Sequence, residues 1–134
     1  MRPVPVPQPE SDFYWQKARA GELWLRHCNA CNSTYFYPRE LGPRCFARDT
    51  TWIRSSGRGV LYSFAIVHRP PTPAWRDVVP YVAAIVELEE GARIPTNLVD
   101  VEPAVESIRI GMAVEVTFRN VDDKLAMPMF RPRR

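Results

Sequence analysis

The sequence predicts a mainly β protein in three parts: a proline arm with an N-terminal helix, a small ribbon-like module, and a five-stranded barrel. Three observations predict this. A short polar and aromatic stretch between Ser11 and Gly21 carries helix start and stop signals. A Cys28-x-x-Cys31 pair stands between two aromatic β-like runs. Beyond Trp52, five β-like runs follow one another with turn residues between them. The 134 residues suffice for one domain with a core and a small appendage.

The elements follow in order. Residues 1–9 hold four prolines and predict an extended arm without a core of its own. Ser11 or Asp12 can cap a short helix that Gly21 ends. Phe13, Tyr14 and Trp15 stand side by side in it, so they point in different directions around the helix. A small domain can hardly bury all three. The helix is therefore expected to lie outside the barrel core and to present aromatic anchors to a partner; the plainer alternative packs one or two of them and leaves the rest half exposed. Residues 23–27 read as a strand entering the cysteine pair, and residues 35–37 as the strand leaving it, stopped by Pro38. Strand, knuckle, strand, second knuckle is the layout of a zinc ribbon.

In the second half, residues 59–67 alternate Val60, Tyr62, Phe64 and Ile66 against Leu61, Ser63, Ala65 and Val67. Residues 81–88 are apolar on both faces until Glu87. Glu89-Glu90-Gly91 is a hairpin signal, its carboxylates expected to be plain solvated charges, and residues 93–99 can pair back. In residues 113–119, Val114, Val116 and Phe118 share a face, and Asp122-Asp123-Lys124 turns the chain into residues 125–130. Five short strands with glycines at the corners suggest a small Greek-key barrel, of which the OB-fold is the commonest. The proline-rich residues 68–80 form a connection long enough to serve binding. The parts are placed at 1–22 (arm and docking helix), 23–56 (ribbon) and 57–134 (barrel).

Charge narrows the partners only mildly. The net charge is +3 and the pI about 9.0. Arg39, Arg44 and Arg48 surround the knuckles, and Arg131, Arg133 and Arg134 close the tail. A nucleic acid or the phosphates of a coenzyme would suit such a surface. No apolar run approaches bilayer length, and the proline-broken N-terminus lacks a secretory pattern, so the expected location is the cytoplasm. Three cysteines, two in a C-x-x-C, then point to metal or relic-metal chemistry rather than to a disulfide framework.

Several short motifs occur together and in order: Cys28-Asn-Ala-Cys31, Tyr37-Pro38-Arg39, Ser56-Gly57-Arg58-Gly59, Val67-His68-Arg69, Pro80-Tyr81-Val82, Glu87-Leu88-Glu89-Glu90-Gly91, Arg109-Ile110-Gly111-Met112 and Phe130-Arg131-Pro132. On them the chain resembles, over nearly its whole length, the small bacterial and archaeal proteins that join a rubredoxin-like zinc ribbon to an OB-fold and associate with acyl-CoA enzymes. The resemblance implies a non-catalytic accessory or scaffold subunit of a thiolase-like or hydratase-like enzyme. Such a subunit would help form the acyl-CoA site, with the coenzyme A thioester as a shared ligand. Contacts to that ligand are expected from Arg39, Arg44, Arg48, His68 and Trp75. The alternative is a single-stranded nucleic-acid binder of the OB type, which would need aromatics in a basic groove.

The second knuckle of that family is Cys-Pro-x-Cys, and Gly42-Pro43-Arg44-Cys45 stands in its place. Cys28, Cys31 and Cys45 thus match three ligands, and Gly42 occupies the third ligand position. A structural zinc site is closed by four protein ligands. Water, His27 or Asp49 could complete three thiolates, and the expectation is a metal that is absent or substoichiometric. For nucleophilic catalysis a base must lie near the nucleophile. With His27 beside Cys28, His68 at a strand end, and no serine elbow, HExxH or phosphate loop, the sequence offers no such pair.

Overall fold

The computed structural model describes residues 4–133. Arg134 and the first three residues of the arm lie outside the described residues. Helix α1 (Asp12–Arg19) is followed by strands β1 (Trp24–Cys28), β2 (Ser33–Tyr35) and β3 (Thr50–Arg54), then by β4 (Arg58–Val67), β5 (Tyr81–Leu88), β6 (Arg93–Leu98), β7 (Ala113–Asn120) and β8 (Ala126–Pro132). Single 3-10 turns at Pro73–Trp75 and Val105–Ser107 punctuate the two longer connections.

Ser11 stands at the N-cap of α1, but its hydroxyl turns back to the Gln8 backbone instead of capping the helix. Asp12 in the first turn and Lys17 and Arg19 in the last complement the helix dipole. Gly21, at φ 84°, closes the helix, and the Gly21 and Glu22 N–H groups donate to the Ala18 and Lys17 carbonyls.

The helix corrects one expectation. Tyr14 is 3% exposed and Trp15 9%, and both belong to the main apolar core. The Tyr14 ring lies edge-on to Trp15 at 5.0 Å and to Phe36 at 5.9 Å. Phe13, half-buried, packs on Trp24 at 5.3 Å and Trp52 at 4.7 Å. The helix touches β1 of the ribbon and β7 and β8 of the barrel, so it straps the two modules together instead of standing outside the core. With surfaces on two sides, three adjacent aromatics find cover that a barrel alone would not supply.

The ribbon is a three-stranded antiparallel sheet in the order β2-β1-β3. The exit strand begins earlier than residues 35–37, because Asn32 takes φ 54° and turns the chain at once into Ser33–Tyr35. β3 pairs with β1 from Trp24↔Arg54 to Cys28↔Thr50; the β-branched and aromatic run Thr50-Thr-Trp-Ile favours a strand there. Arg26 on β1 stacks over Trp52, and its guanidinium donates to the Thr50 carbonyl and hydroxyl.

The barrel closes in the order β4-β5-β6-β8-β7, with β7 returning to β4. β6 and β8 are parallel and the other neighbours antiparallel. This is the five-stranded OB arrangement. Its interior holds Leu61, Val82, Val86, Leu88, Ile94, Leu98, Val114 and Phe130. A β-bulge between Leu61 and Ser63 shifts the register of β4. Leu61 points inward before it and Phe64 and Ile66 turn inward after it, while Val60 and Tyr62 stay outside. The simple alternation of residues 59–67 therefore changes face midway. At Gly59 the backbone passes so close to β5 that a Cβ would stand 2.4 Å from the Glu87 carbonyl oxygen, which only glycine allows.

Glu89 and Glu90 are not plain solvated charges. Glu90 accepts hydrogen bonds from the Ser55 hydroxyl (2.7 Å) and the Ser56 N–H (2.9 Å), and Glu89 accepts from the Ser56 hydroxyl (2.9 Å). Ser55 N–H also donates to the Leu23 carbonyl. The hairpin tip of the barrel thereby grips the Ser55-Ser56-Gly57 link from the ribbon.

Candidate functional site: the three-cysteine knuckles

Both knuckles have the same backbone form. In the first, Cys28 ends β1, the chain turns through Asn29 and Ala30 to Cys31, and Asn32 takes positive φ. In the second, Gly42, Pro43 and Arg44 lead to Cys45, and Phe46 takes φ 60°. Hydrogen bonds from Gly42 N–H to the Ala47 carbonyl and from Phe46 N–H to the Gly42 carbonyl hold this turn. A left-handed conformation at a bulky aromatic is costly. Phe46 keeps it while 74% exposed, so the turn, not packing of the ring, sets the backbone there.

The three Sγ atoms lie within 4.8 Å of one another. Cys28 is buried, Cys31 half-buried and Cys45 exposed. Cys28 Sγ and Cys45 Sγ are 3.5 Å apart, and Cys31 Sγ is 3.0 Å from the Ser33 hydroxyl. The Ser33 hydrogen bond holds the Cys31 thiol below its ordinary pKa against the opposing effect of burial. At Cys45 the Ala47 backbone hydrogen bond pulls downward, but the neighbouring sulfurs of Cys28 and Cys31 outweigh it and hold the thiol above its ordinary value.

Thiolates about 2.3 Å from one zinc ion stand roughly 3.8 Å apart, so the cluster fits three of the four zinc ligands. It does not fit a closed four-ligand site. Position 42 faces the cluster, since a Cβ there would lie 3.0 Å from Cys28 Sγ, yet glycine supplies no donor. The two substitute ligands are placed elsewhere. His27 Nδ1 is hydrogen-bonded to Thr34 Oγ1 at 2.9 Å, on the cross-strand pair beside the knuckle, and Asp49 accepts from Asn29 Nδ2 at 3.1 Å. Among the described residues, the metal-ligating group contains the three cysteines and neither of these.

The expected coenzyme contacts fall in two places. Arg39 is bound to Glu10 at 2.9 Å and lies over the Tyr37 ring, while Arg44 and Arg48 are exposed on the second knuckle. His68 and Trp75 belong to the first connection of the barrel: His68 is exposed, and Trp75 is half-buried with its ring 5.2 Å from Tyr81. Trp75 and Tyr81 also line a cavity of about 820 Å³, together with Leu98, Val101, Met127, Met129 and the Arg119–Asp100 ion pair. Residues 68–80 suggested a binding loop in the sequence; the cavity needed β6 and β8 to be brought beside it. No helix among the described residues is long and apolar enough to cross a membrane.

Comparison with known proteins extends this description. Residues 15–51 match the family described as ChsH2, rubredoxin-like zinc ribbon domain, and residues 52–119 match ChsH2, C-terminal OB-fold domain. A probable enoyl-CoA hydratase alpha subunit of Thermomonospora curvata is 36% identical over 132 residues. That match covers 98% of this chain but 40% of the relative, so the chain spans well under half the length of that subunit. A DUF35 domain-containing scaffold protein of Methanocaldococcus jannaschii is 43% identical over 98 residues, 72% of this chain and 67% of the relative. Among solved structures, a chain of an Ltp2-ChsH2(DUF35) aldolase superposes with TM-score 0.80 at 36% identity, covering 96% of this chain and 98% of that one. A DUF35 protein of Sulfolobus solfataricus, at 10% identity and TM-score 0.63, shares the fold. Ribbon, barrel and relatives agree, and the chain belongs to the ChsH2-type DUF35 family, in which a rubredoxin-like zinc ribbon is joined to an OB-fold.

Proposed function

We propose that the chain is a non-catalytic accessory subunit that docks on a thiolase-like or hydratase-like acyl-CoA enzyme and helps to form its thioester site. One observation carries this reading: over 96% of its length the chain superposes on a chain of an Ltp2-ChsH2(DUF35) aldolase, and its match to part of a probable enoyl-CoA hydratase alpha subunit points the same way. The chemistry of the described residues supports it. The clustered nucleophiles are the three knuckle thiols, and the nearby imidazole of His27 is engaged by Thr34. With Tyr14 and Trp15 taken up by the core, the docking face is assigned to the outer edge of Phe13 and to Tyr37, Leu41 and Phe46, the last three exposed around the knuckles. Arg44 and Arg48 lie on the same module and suit the coenzyme's phosphates.

The nucleic-acid alternative draws little from the geometry. Phe13 packs edge-on to Trp24 and tilted against Trp52, Trp75 packs on Tyr81, and Arg93 lies over the Tyr62 ring at 3.9 Å. Two assays separate the readings. The chain alone should not turn over acyl-CoA thioesters, and adding it to its partner enzyme should raise that enzyme's activity. Binding of short single-stranded DNA or RNA that weakens steeply with salt would favour the alternative.

A further inference from the structure

We infer that Cys28 and Cys45 form a reversible disulfide, leaving Cys31 as a free thiol. The inference is independent of the accessory reading. A fourth ligand would lock all the knuckle sulfurs onto a metal; glycine at position 42 leaves three thiols without it. Those thiols are not equivalent. Cys28 and Cys45 are in contact at 3.5 Å, whereas Cys31 is hydrogen-bonded to the Ser33 hydroxyl. Cys45 is the exposed member and Cys28 the buried one, so an oxidant meets Cys45 first, and the Cys28 sulfur stands in hydrogen-bonding contact with it.

The chemistry balances with hydrogen peroxide as oxidant. The Cys45 sulfur attacks one peroxide oxygen, the O–O bond breaks, and Cys45 sulfenic acid and one water result. The Cys28 sulfur then attacks the Cys45 sulfur, the S–O bond breaks, and a second water leaves with the Cys28 proton. Two thiols are oxidised by one sulfur oxidation level each, and one peroxide is reduced to two waters. A small dithiol reverses the step by exchange. The bond would tie the end of β1 to the second knuckle and remove two of the three metal donors, so oxidation and metal binding exclude each other.

The test uses the full chain, stripped of metal with a chelator and treated with one equivalent of hydrogen peroxide. Titratable thiols should fall from three to one, the intact mass should drop by two hydrogens, and peptide mapping should find Cys28 linked to Cys45. Dithiothreitol should restore all three thiols. Cys31→Ser should still form the bond, and the wild-type map decides the matter if that variant does not fold. A linkage through Cys31, a bond between chains, three thiols left unreacted, or Cys45 carried to sulfinic acid beside an intact Cys28 thiol would overturn the inference.

Discussion

Replacing Trp15 by alanine separates two roles for the helix. A partner-facing anchor would lose association and leave the fold intact. The structure instead puts Trp15 in the core, 9% exposed, edge-on to Tyr14, in one cluster with Leu125 and Phe130. Truncating a buried tryptophan to alanine costs about 3–5 kcal/mol when the cavity does not collapse. At about 2.1 cal/mol/K per residue, a chain of this length has an unfolding entropy near 0.28 kcal/mol/K, which converts that loss into a midpoint drop of about 11–18 °C. Thermal and urea unfolding of Trp15→Ala, with exposed Gln16→Ala as control, measures it. The control should move by less than about 0.5 kcal/mol. A Trp15→Ala midpoint within a degree or two of wild type, with lost partner binding, would refute the core placement and restore the anchor.

Three further outcomes are expected. Gly42→Cys should add the missing thiolate: its backbone does not need positive φ, and Cys28 has to yield only a few tenths of an ångström to a Cβ at 3.0 Å. Zinc should raise the midpoint of this variant more than that of wild type, each hundredfold gain in affinity adding about 2.7 kcal/mol at saturation; equal zinc responses would count against the knuckle alignment. Glu90→Ala should leave the Ser55 hydroxyl and Ser56 N–H without their acceptor, costing about 1–2 kcal/mol, and should speed amide exchange at residues 55–57, with unchanged exchange contradicting the grip. Hydrogen bonds from the Lys124 and Leu125 N–H groups hold the Asp122 carboxyl below its ordinary pKa. Its contribution is therefore present above the unfolded-state value and is lost as pH falls through the lower folded value. Stability curves of wild type and Asp122→Asn should differ at neutral pH and converge in acid; a constant gap would contradict the linkage.

The barrel was legible because each strand is a β-branched or apolar run bounded by Gly, Asp or Pro, and those signals are local. The bulge at Tyr62 was not, because alternation looks the same on either side of an inserted residue until the partner strand fixes the register. Tyr14 and Trp15 were misread as partner-facing for a similar reason, since their burial depends on two modules meeting across the helix, which no local pattern records; the plainer alternative, one or two packed and the rest half exposed, fits half-buried Phe13. Glu89 and Glu90 resembled a solvated turn because their partners, Ser55 and Ser56, lie 33 to 35 residues away. At the site, spacing marked the Cys28-x-x-Cys31 pair, and the family resemblance matched Cys45 to a ligand and exposed the gap at Gly42. Strand alternation could have turned His27 away from Cys28, and the His27–Thr34 pair shows it. The contact of Cys28 with Cys45 is a tertiary fact.

Gentle affinity purification of the tagged chain from its own cells, with mass spectrometry of what accompanies it, tests the accessory role most directly. The predicted result is a larger thiolase-like or hydratase-like subunit recovered in a fixed ratio, retained in high salt and lost on mutating Phe46 and Leu41 together. Recovery of the chain alone, or with nucleic acid that salt removes, would contradict it.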